Sequence, residues 1–372
     1  MKTTPWRRTC VILALAVFSF GTGFTPPQWS RDDSAALPLP PSQVRALRGY
    51  KSPVLSAKTA VLVDAASGAV LFSKNGDERA APASLTKMMT ALVAIEHGEL
   101  TQQITASERV YVEPVVIGLD PGEVMPLEDL LYGLLLPSGN DAAIAIAEGV
   151  GGTQARFVGW MNEKAAALGM RNTHFLNPHG LDAPGHYSTG EDLARLTVAM
   201  MREPHLARIV SSREYTRPGP PLYKFRNSNP LLGTYDGVNG GKTGFTDLAG
   251  RCLAVSATRG GHQLIAIILG SQNIALDGQT LLDYAYGNYD WVPVPVSNSP
   301  LLDYRIGRER VETGLVDPPA VPLSPWEGRG YRGRVVLDRG APEASGLVGW
   351  LVLESPLRRL GQFALSVVAS RS

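Results

Sequence analysis

Hydrophobic and polar residues alternate along this chain in runs whose character changes several times, and these changes predict its elements. Two β-rich runs, 59–64 and 69–73, flank a glycine-containing turn and predict a hairpin. A second pair of such runs, 251–258 and 263–269, is split by a Gly-Gly turn and predicts another hairpin. Strand pairs are therefore expected on both sides of a long central stretch.

The central stretch has mainly helical character. Residues 84–95 are rich in Leu, Met and Ala, contain no helix breaker and predict a helix that begins at Ser84. Further helices are predicted at 126–136, from Ala142 onward, at 153–168, at 188–201 and through Leu281–Tyr284. Residues 205–235 have no regular pattern. The apolar helical segments predict the packed centre of a helical lobe.

The N-terminal residues have the layout of an export signal. Basic residues at Lys2, Arg7 and Arg8 precede the apolar run 10–20, and small residues follow. This layout predicts a signal peptide over 1–24, cleaved near Gly23, with an uncleaved anchor as the alternative. Residues 25–52, rich in Pro, Ser and Ala, predict a linker.

The C-terminal residues 292–372 have a different composition from the central stretch. They contain many Pro and Gly residues and short Val and Leu runs without helical periodicity, so they predict a small all-β domain. The run 362–368 alternates like a strand, and we prefer that interpretation to a helix. Residues 53–291 then form the main domain.

Charge and cysteine content narrow the classes of function. The chain has 372 residues, 19% of them charged, and a net charge of +1, which argues against nucleic-acid binding and against an acidic disordered tail. Cys10 lies in the apolar N-terminal run, so a cleaved chain keeps Cys252 alone and has no internal disulfide. Cys252 stands in an apolar run and is predicted to be a buried core residue.

The candidate chemistry begins with the sequence Ser84-Leu85-Thr86-Lys87. At the start of a helix, Ser84 and Lys87 lie on one face within hydrogen-bond reach. A serine becomes a strong nucleophile when a neighbouring base takes its proton, and a neutral amine can do this. Taken alone, the pair is better explained by a helix cap beside a solvated lysine.

Two further elements follow in chain order and favour the catalytic interpretation. Ser138-Gly139-Asn140 interrupts the helical lobe, and Lys242-Thr243-Gly244 stands just before the second hairpin. A Ser-x-x-Lys, Ser-x-Asn and Lys-Thr-Gly set in this order is typical of penicillin-recognising serine acyltransferases.

The residues around these motifs narrow the family. The matching segments are 82–90, 138–143, 177–182, 186–189 and 241–247. They resemble the serine-type D-alanyl-D-alanine carboxypeptidases, the low-molecular-mass penicillin-binding proteins, over about 55–290. The resemblance implies an α+β penicillin-binding and β-lactamase-like fold, with an antiparallel sheet flanked by helices and a helical lobe, followed by the small β-domain.

The resemblance also implies a role for each motif residue. Ser84 attacks the D-Ala–D-Ala carbonyl, Lys87 accepts its proton, and Ser138 passes a proton towards the leaving amine. For Lys87 to be neutral, burial and the charge of Lys242 should lower its pKa. The substrate-binding residues are Asn140 for the amide, Lys242 and Thr243 for the terminal carboxylate, Gly244 for close backbone approach, and Phe245, whose N–H shares the oxyanion hole with that of Ser84. No metal or cofactor is implied.

Two departures from the family pattern stand out. Some members have His where this chain has Phe245, a position that contributes only its backbone. Members also often carry a carboxylate-binding arginine before the last helix, and residues 263–282 contain none. Carboxylate recognition would then rest on Lys242 and Thr243, which weakens the preference for a carboxypeptidase over a D,D-endopeptidase.

The sequence argues against two other functions. A class A-like β-lactamase would need a Glu-x-x-Leu-Asn segment between Ser138 and Lys242, and none occurs. A non-catalytic cell-wall-binding protein would leave the intact motif set without a use. The expected partners are peptidoglycan stem peptides, with β-lactam antibiotics as inhibitors, no nucleic acid, and peripheral membrane association left open. The expected location is the periplasm or the outer face of the cytoplasmic membrane.

Overall fold

The computed structural model describes residues 52–293 and, beyond them, 303–306, 309–315, 320–324, 332–337, 347–355 and 358–371. The predicted signal peptide and all but the last residue of the predicted linker lie outside the described residues. Within the described residues, no helix is both long and apolar enough to cross a membrane.

The described chain divides into two compact units. The first comprises Pro53–Ala65 and Leu71–Gly287, and the second comprises Ala66–Val70 and the described residues from Asn288 onward. The predicted domain boundaries at 53 and at 291/292 stay predictions.

A five-stranded sheet with the strand order β2-β1-β9-β8-β7 is the base of the first unit. Its strands are β1 (Thr59–Asp64), β2 (Val70–Lys74), β7 (Val238–Thr246), β8 (Gly250–Arg259) and β9 (His262–Ser271). The pairings β1–β9, β8–β9 and β7–β8 are antiparallel. Because β2 neighbours β1 and β9 neighbours β8, both predicted hairpin regions are strand pairs. The strand β7, which carries Lys242, is an edge strand of the sheet.

The helices of the first unit follow the predicted order. They are α1 (Thr86–His97), α2 (Leu127–Leu135), α3 (Asn140–Gly151), α4 (Gln154–Ala167), α5 (Gly190–Arg202), α6 (Pro204–Ser211) and α7 (Ile274–Asn288). The short strand pairs of the same unit are β3 (Gln103–Thr105) with β4 (Val124–Pro126), and β5 (Glu214–Thr216) with β6 (Lys224–Arg226).

Helices cover both faces of the sheet. A Cβ built on Gly190 of α5 would lie 2.8 Å from the Val61 side chain, and Val61 pairs with Ile267 in the sheet. Gly278 of α7 lies instead against Leu253 and Ile268. Because successive strand residues point to opposite faces, α5 and α7 pack on opposite sides.

The helix α1 is the centre of the helical lobe. It contacts α2, α3, α4 and α5, and its first nine residues, Thr86–Ala94, are all buried. A helix without a polar face requires neighbours all around it. This burial fixes the helix that follows Ser84.

Two local elements of the structure were not predicted from the sequence. Residues 205–235 were expected to be irregular, yet α6 lies at their start, with Pro204 in its first turn and the Glu203 side chain accepting from the His205 N–H. The Lys-Thr-Gly segment stands just before the β8–β9 hairpin, as expected, but it also lies inside a strand of its own, β7, whose three glycines give it little β-propensity.

The second unit is made of strands. A two-stranded sheet pairs β10 (Asp290–Pro293) with β13 (Ala320–Leu323). A five-stranded sheet has the order β11-β12-β16-β15-β14. Its strands are β11 (Asp303–Ile306), β12 (Glu309–Gly314), β14 (Arg332–Leu337), β15 (Leu347–Glu354) and β16 (Arg359–Arg371). The run 362–368 is thus a strand, as preferred from its alternation.

Candidate active site

Ser84 lies in a tight turn directly before the buried helix α1. Residues Ala83–Leu85 form a 3-10 turn, and Ala83 adopts a left-handed φ of 48°. A side chain in this conformation is strained, and such strain persists only where surrounding contacts hold it. The turn therefore presents Ser84 in a conformation imposed by its surroundings.

Lys87 reaches back from the first turn of α1 to Ser84. Its Nζ lies 2.9 Å from Ser84 Oγ, 2.6 Å from Asn140 Oδ1 and 2.7 Å from the carbonyl oxygen of His179. The Lys87 side chain is fully buried. Three oxygen atoms thus surround a buried amine.

The chemistry of these three oxygens differs. The His179 carbonyl can only accept a hydrogen bond, and Asn140 Oδ1 is fixed as an acceptor because Asn140 Nδ2 donates to the Glu113 carbonyl at 2.7 Å. A neutral amine has two N–H bonds and one lone pair. When both N–H groups serve these acceptors, the lone pair faces the Ser84 hydroxyl, which is the geometry of a general base.

The electrostatic surroundings favour this neutral amine. Burial lowers the pKa of Lys87 well below its ordinary value, the nearby Lys242 lowers it further, and Asp141 acts in the opposite direction. The Asp141 carboxylate itself accepts backbone N–H groups of Ile117, Gly118 and Leu119, which spread its charge. The expected lowering of the Lys87 pKa by burial and by Lys242 is thus present.

Ser138 lies in the turn between α2 and α3, two residues before Asn140. It has a φ of 81°, and its buried Oγ forms no hydrogen bond with any described residue. A buried hydroxyl without a partner costs free energy, about 1–3 kcal/mol. A substrate group that bonded to it would recover that cost.

The strand β7 forms the other wall of the site. A Cβ built on Gly244 would lie only 3.0 Å from the Ser84 nitrogen, so a side chain there would crowd the nucleophile turn. Phe245 is 61% exposed. Lys242 is buried, donates to the Thr243 carbonyl oxygen at 2.9 Å, and has its pKa lowered by burial to about 7.

A loop over the nucleophile turn, the clamp loop (residues 177–187), holds these walls together. A Cβ built on Gly180, where φ is 88°, would lie 2.0 Å from the Ala83 carbonyl oxygen. The Pro178 carbonyl accepts from Thr90 Oγ1 at 2.6 Å. Asp182 Oδ1 accepts from Thr246 Oγ1 at 2.8 Å. The loop thus contacts both α1 and the end of β7.

His186 connects the clamp loop to the residue between Ser84 and Lys87. The Leu176 N–H donates to His186 Nδ1 at 3.1 Å, so Nδ1 carries the lone pair and the proton of the neutral ring is on Nε2. Nε2 therefore donates to Thr86 Oγ1 at 2.9 Å. Burial lowers the pKa of His186 to about 4, which keeps the ring neutral at neutral pH.

The structure brings the predicted residues Ser84, Lys87, Asn140, Lys242 and Gly244 to one site. Sequence reasoning assigned Asn140 to the substrate amide, whereas here both ends of its side-chain amide bond to protein groups, so its substrate contact stays a prediction. Three contributors were missed: the carbonyls of Glu113 and His179, and Ser228, whose Oγ lies 2.5 Å from Thr243 Oγ1. No sequence signal marks a backbone carbonyl as part of a site.

The sequence of this chain matches a family model and several known proteins. The family model described as D-alanyl-D-alanine carboxypeptidase matches residues 48–273. The chain is 35% identical over 261 residues to the D-alanyl-D-alanine carboxypeptidase DacF of Bacillus subtilis, covering 67% of each chain. It is 40% identical over 234 residues to DacA of Escherichia coli, covering 59% of this chain and 57% of the relative.

Solved structures give the same picture of the fold. Penicillin binding protein 5 from Haemophilus influenzae matches with a TM-score of 0.70 and 30% identity, over 86% of this chain and 98% of that one. A D-alanyl-D-alanine carboxypeptidase from Mycobacterium tuberculosis matches with a TM-score of 0.61 and 33% identity, over 64% and 94%. The predicted α+β penicillin-binding fold is confirmed.

Proposed function

Because the chain belongs to the D-alanyl-D-alanine carboxypeptidase family, we propose that it hydrolyses the terminal D-Ala–D-Ala bond of peptidoglycan pentapeptides through an acyl-enzyme on Ser84. The observation that carries this proposal is the enclosure of Lys87 by two obligate acceptors and the Ser84 hydroxyl. That arrangement suits one proton transfer, from Ser84 to Lys87.

Acylation follows from the positions of these groups. Lys87 takes the hydroxyl proton as Ser84 Oγ attacks the carbonyl of the penultimate D-Ala. The oxyanion that forms is bound by the backbone N–H groups of Ser84 and Phe245, and such a donor typically contributes a factor of about 10²–10³ in rate. The C–N bond then breaks, and Ser138 passes the proton from Lys87 to the leaving D-Ala amine.

Deacylation repeats these steps with water in place of Ser84. Lys87 accepts a proton from the water that attacks the ester, and the proton returns to Ser84 Oγ as the ester bond breaks. The enzyme is regenerated, and the shortened stem peptide leaves. Penicillins enter by the same attack on their strained amide and are held as a stable acyl-enzyme, which makes them inhibitors.

We further propose that this reaction takes place on exported protein, in the periplasm or on the outer face of the cytoplasmic membrane. Two relatives are named D-alanyl-D-alanine carboxypeptidases, and the proposed substrate lies outside the cytoplasm. The observation that supports export in this chain itself is the basic, apolar and small-residue order of residues 1–24.

The test combines D-Ala release from a pentapeptide with labelling by a fluorescent penicillin. The wild type should release D-Ala and become stably labelled, and Ser84→Ala should do neither. Labelled enzyme that releases no D-Ala but cuts cross-linked peptides would replace the proposal with an endopeptidase. Rapid turnover of the label would indicate a β-lactamase, and no labelling would indicate a cell-wall-binding protein.

A further inference from the structure

Residues 113–119, which we call the strap, cross the start of α3 beside the active site, and no step of the proposed reaction uses their side chains. Residues 113–116 are exposed. Ile117 lies against two glycines: a Cβ built on Gly133 of α2 would be 2.7 Å from its Cδ1, and one built on Gly139 would be 2.8 Å from its Cγ2. The exposed half of the strap has few side-chain contacts, so its position depends on hydrogen bonds.

The first two residues of α3 supply these hydrogen bonds. The Asn140 N–H donates to the Val115 carbonyl oxygen at 2.7 Å, and Asn140 Nδ2 donates to the Glu113 carbonyl oxygen at 2.7 Å. The Asp141 carboxylate accepts the three consecutive N–H groups of residues 117–119 at 2.8 to 3.1 Å. Asp141 thus fixes one half of the strap, and Asn140 is bonded to the other half.

The contacts of Asp141 require a carboxylate. Its side chain is buried, and Oδ1 also accepts the Ala142 N–H at 2.8 Å. A carboxylate has acceptors on both oxygens, and a negative charge in the first turn of a helix is favourable. An amide of the same shape would direct one N–H group at the N–H groups of the strap. A tether outside α3 also exists, since Tyr223 Oη donates to the Gly118 carbonyl at 3.2 Å.

The strap in turn determines how the Asn140 amide is oriented. Asn140 Oδ1 accepts from Lys87 Nζ at 2.6 Å because Nδ2 is directed at the Glu113 carbonyl. A reversed amide would place Oδ1 against that carbonyl oxygen, which repels it, and Nδ2 against Lys87 Nζ. Its N–H would then bond to the Lys87 lone pair that the Ser84 proton needs. The position of Glu113 therefore keeps Lys87 available as a base.

We propose that Asp141 is a positioning residue for the acylation of Ser84: it fixes the strap, and the Glu113 carbonyl of the strap keeps the Asn140 amide from reversing. The inference rests on the proposed function, since it concerns the base of that reaction. The charge of Asp141 raises the pKa of Lys87, which opposes a neutral amine. A favourable contribution of Asp141 to acylation therefore has to come from geometry.

The test is a double-mutant cycle between Asp141→Asn and Asn140→Ala, measured as the rate of penicillin labelling. In the wild-type background, Asp141→Asn should slow labelling by about 10–100-fold, the range for loss of a hydrogen bond to a charged group. In the Asn140→Ala background it should cause no further loss, because the amide that it orients is gone. Thermal unfolding shows that each variant is folded.

Glu148→Gln is the matched control on the same helix. The Glu148 carboxylate also holds a preceding segment, through Ser107 Oγ at 2.6 Å and Arg109 Nη1 at 3.2 Å, but it does not bond to the strap or to Asn140. It should leave the labelling rate unchanged in both backgrounds. Ile117→Ala is a second variant that loosens the strap and keeps the carboxylate. It should cause a smaller loss, which again disappears without the Asn140 side chain.

The outcomes separate this proposal from the proposed function. An equal slowing by Asp141→Asn with and without the Asn140 side chain would overturn the positioning role, since Asp141 would then act on the fold alone. A comparable slowing by Glu148→Gln would overturn it as well. Labelling requires no release of D-Ala. A labelled wild type that releases none, with a cycle that shows the expected coupling, would overturn the proposed hydrolysis and leave the role of Asp141 standing.

Discussion

Two buried lysines lie in this active site, and their surroundings differ. Lys87 is enclosed by three oxygens and covered by the clamp loop. Lys242 makes one side-chain hydrogen bond within the described residues, to a backbone carbonyl, and stands on a strand beside an open cleft. Both are less than 2% exposed.

The pKa values of the two lysines respond to different causes. Burial alone lowers the pKa of Lys242 to about 7, so it changes charge near neutral pH. The pKa of Lys87 is lowered by burial and also by the charge of Lys242. Enclosure therefore suits Lys87 to the proposed role of a base, while Lys242 acts on it through charge. Substitutions of each lysine, and of the clamp loop that covers Lys87, test this difference.

Removal of the base has the largest expected effect. Lys87→Ala should lower the rate of penicillin labelling by about 10³–10⁴-fold, near the upper limit of general base catalysis, because no other group takes the Ser84 proton. Lys87→Arg should be equally slow, since a guanidinium stays charged and offers no lone pair. Stopped-flow or gel-based labelling measures both rates.

The Arg variant also serves as the control for charge and volume. If it labelled within tenfold of the wild type, a charged residue would suffice at position 87, and the neutral amine would have no part in the reaction. Thermal unfolding of each variant shows whether the loss is chemical.

A side chain added at Gly180, where the clamp loop contacts the Ser84 turn, has the next largest expected effect. Gly180→Ala should cost about 3–5 kcal/mol of unfolding free energy, because the new Cβ would meet the Ala83 carbonyl at 2.0 Å and the residue has a positive φ. Penicillin labelling of the folded fraction should fall as well, since the Ser84 turn must move. Urea unfolding measures the first effect.

Gly185→Ala is the matched control in the same loop. Gly185 has a similar φ of 94°, but its Cβ would meet nothing closer than 3.6 Å. It should therefore cost about 1 kcal/mol from backbone strain alone. Equal losses in the two variants would mean that loop strain, and not contact with the Ser84 turn, determines the effect.

These contacts also show which parts of the site could be predicted from the sequence alone. The order of motifs and the helical pattern of residues 84–95 predicted the nucleophile, its base and the helix that carries them, because both depend on local spacing. The His179 and Glu113 carbonyls could not be found, since every residue has a carbonyl and only tertiary packing selects one. Ser228 was hidden in a stretch without regular pattern.

The strand β7 shows a second limit. Its glycines at 240, 241 and 244 lower its β-propensity, so no strand was predicted for the Lys-Thr-Gly segment. The sheet requires those glycines: a Cβ on Gly241 would lie 2.1 Å from the Ala254 carbonyl oxygen, and one on Gly244 would crowd Ser84. In β7, close packing of the backbone against its neighbours outweighs the low β-propensity of glycine.

Neutralising Lys242 tests the coupling of the two lysines. Lys242→Gln should lower kcat/KM for D-Ala release by about 10–100-fold, since it removes a positive charge from the residues predicted to bind the substrate carboxylate. Lys242 lowers the pKa of Lys87, so its loss should raise that pKa and move the acid limb of the pH–rate profile to higher pH.

Lys242→Gln should also affect the alkaline limb of the kcat/KM profile. In the wild type, Lys242 loses its proton above a pKa of about 7, so kcat/KM should fall there, and Lys242→Gln should lack this limb. Lys224→Gln, on exposed β6, should keep both limbs. An unshifted acid limb in Lys242→Gln would show that the two lysines titrate independently.

The smallest effect concerns the histidine that ties the clamp loop to α1. Folding lowers the pKa of His186 from its ordinary value of 6.5 to about 4, mainly through burial. The unfolded chain thus binds a proton more readily, so this stabilising contribution is complete above pH 6.5 and is lost as the pH falls towards 4. His186→Gln should lack the corresponding pH dependence.

The measurement is urea unfolding of wild type and His186→Gln at several pH values. The stability difference between them should shrink by about 1–2 kcal/mol on going from neutral pH to about pH 5, because only the wild type then takes up the proton on unfolding. His179, with a pKa lowered to about 3, is present in both proteins and cancels in the comparison. A pH-independent difference would show that the Nε2–H bond to Thr86 stabilises the loop without any link to protonation, and the enclosure of Lys87 would then be insensitive to acid.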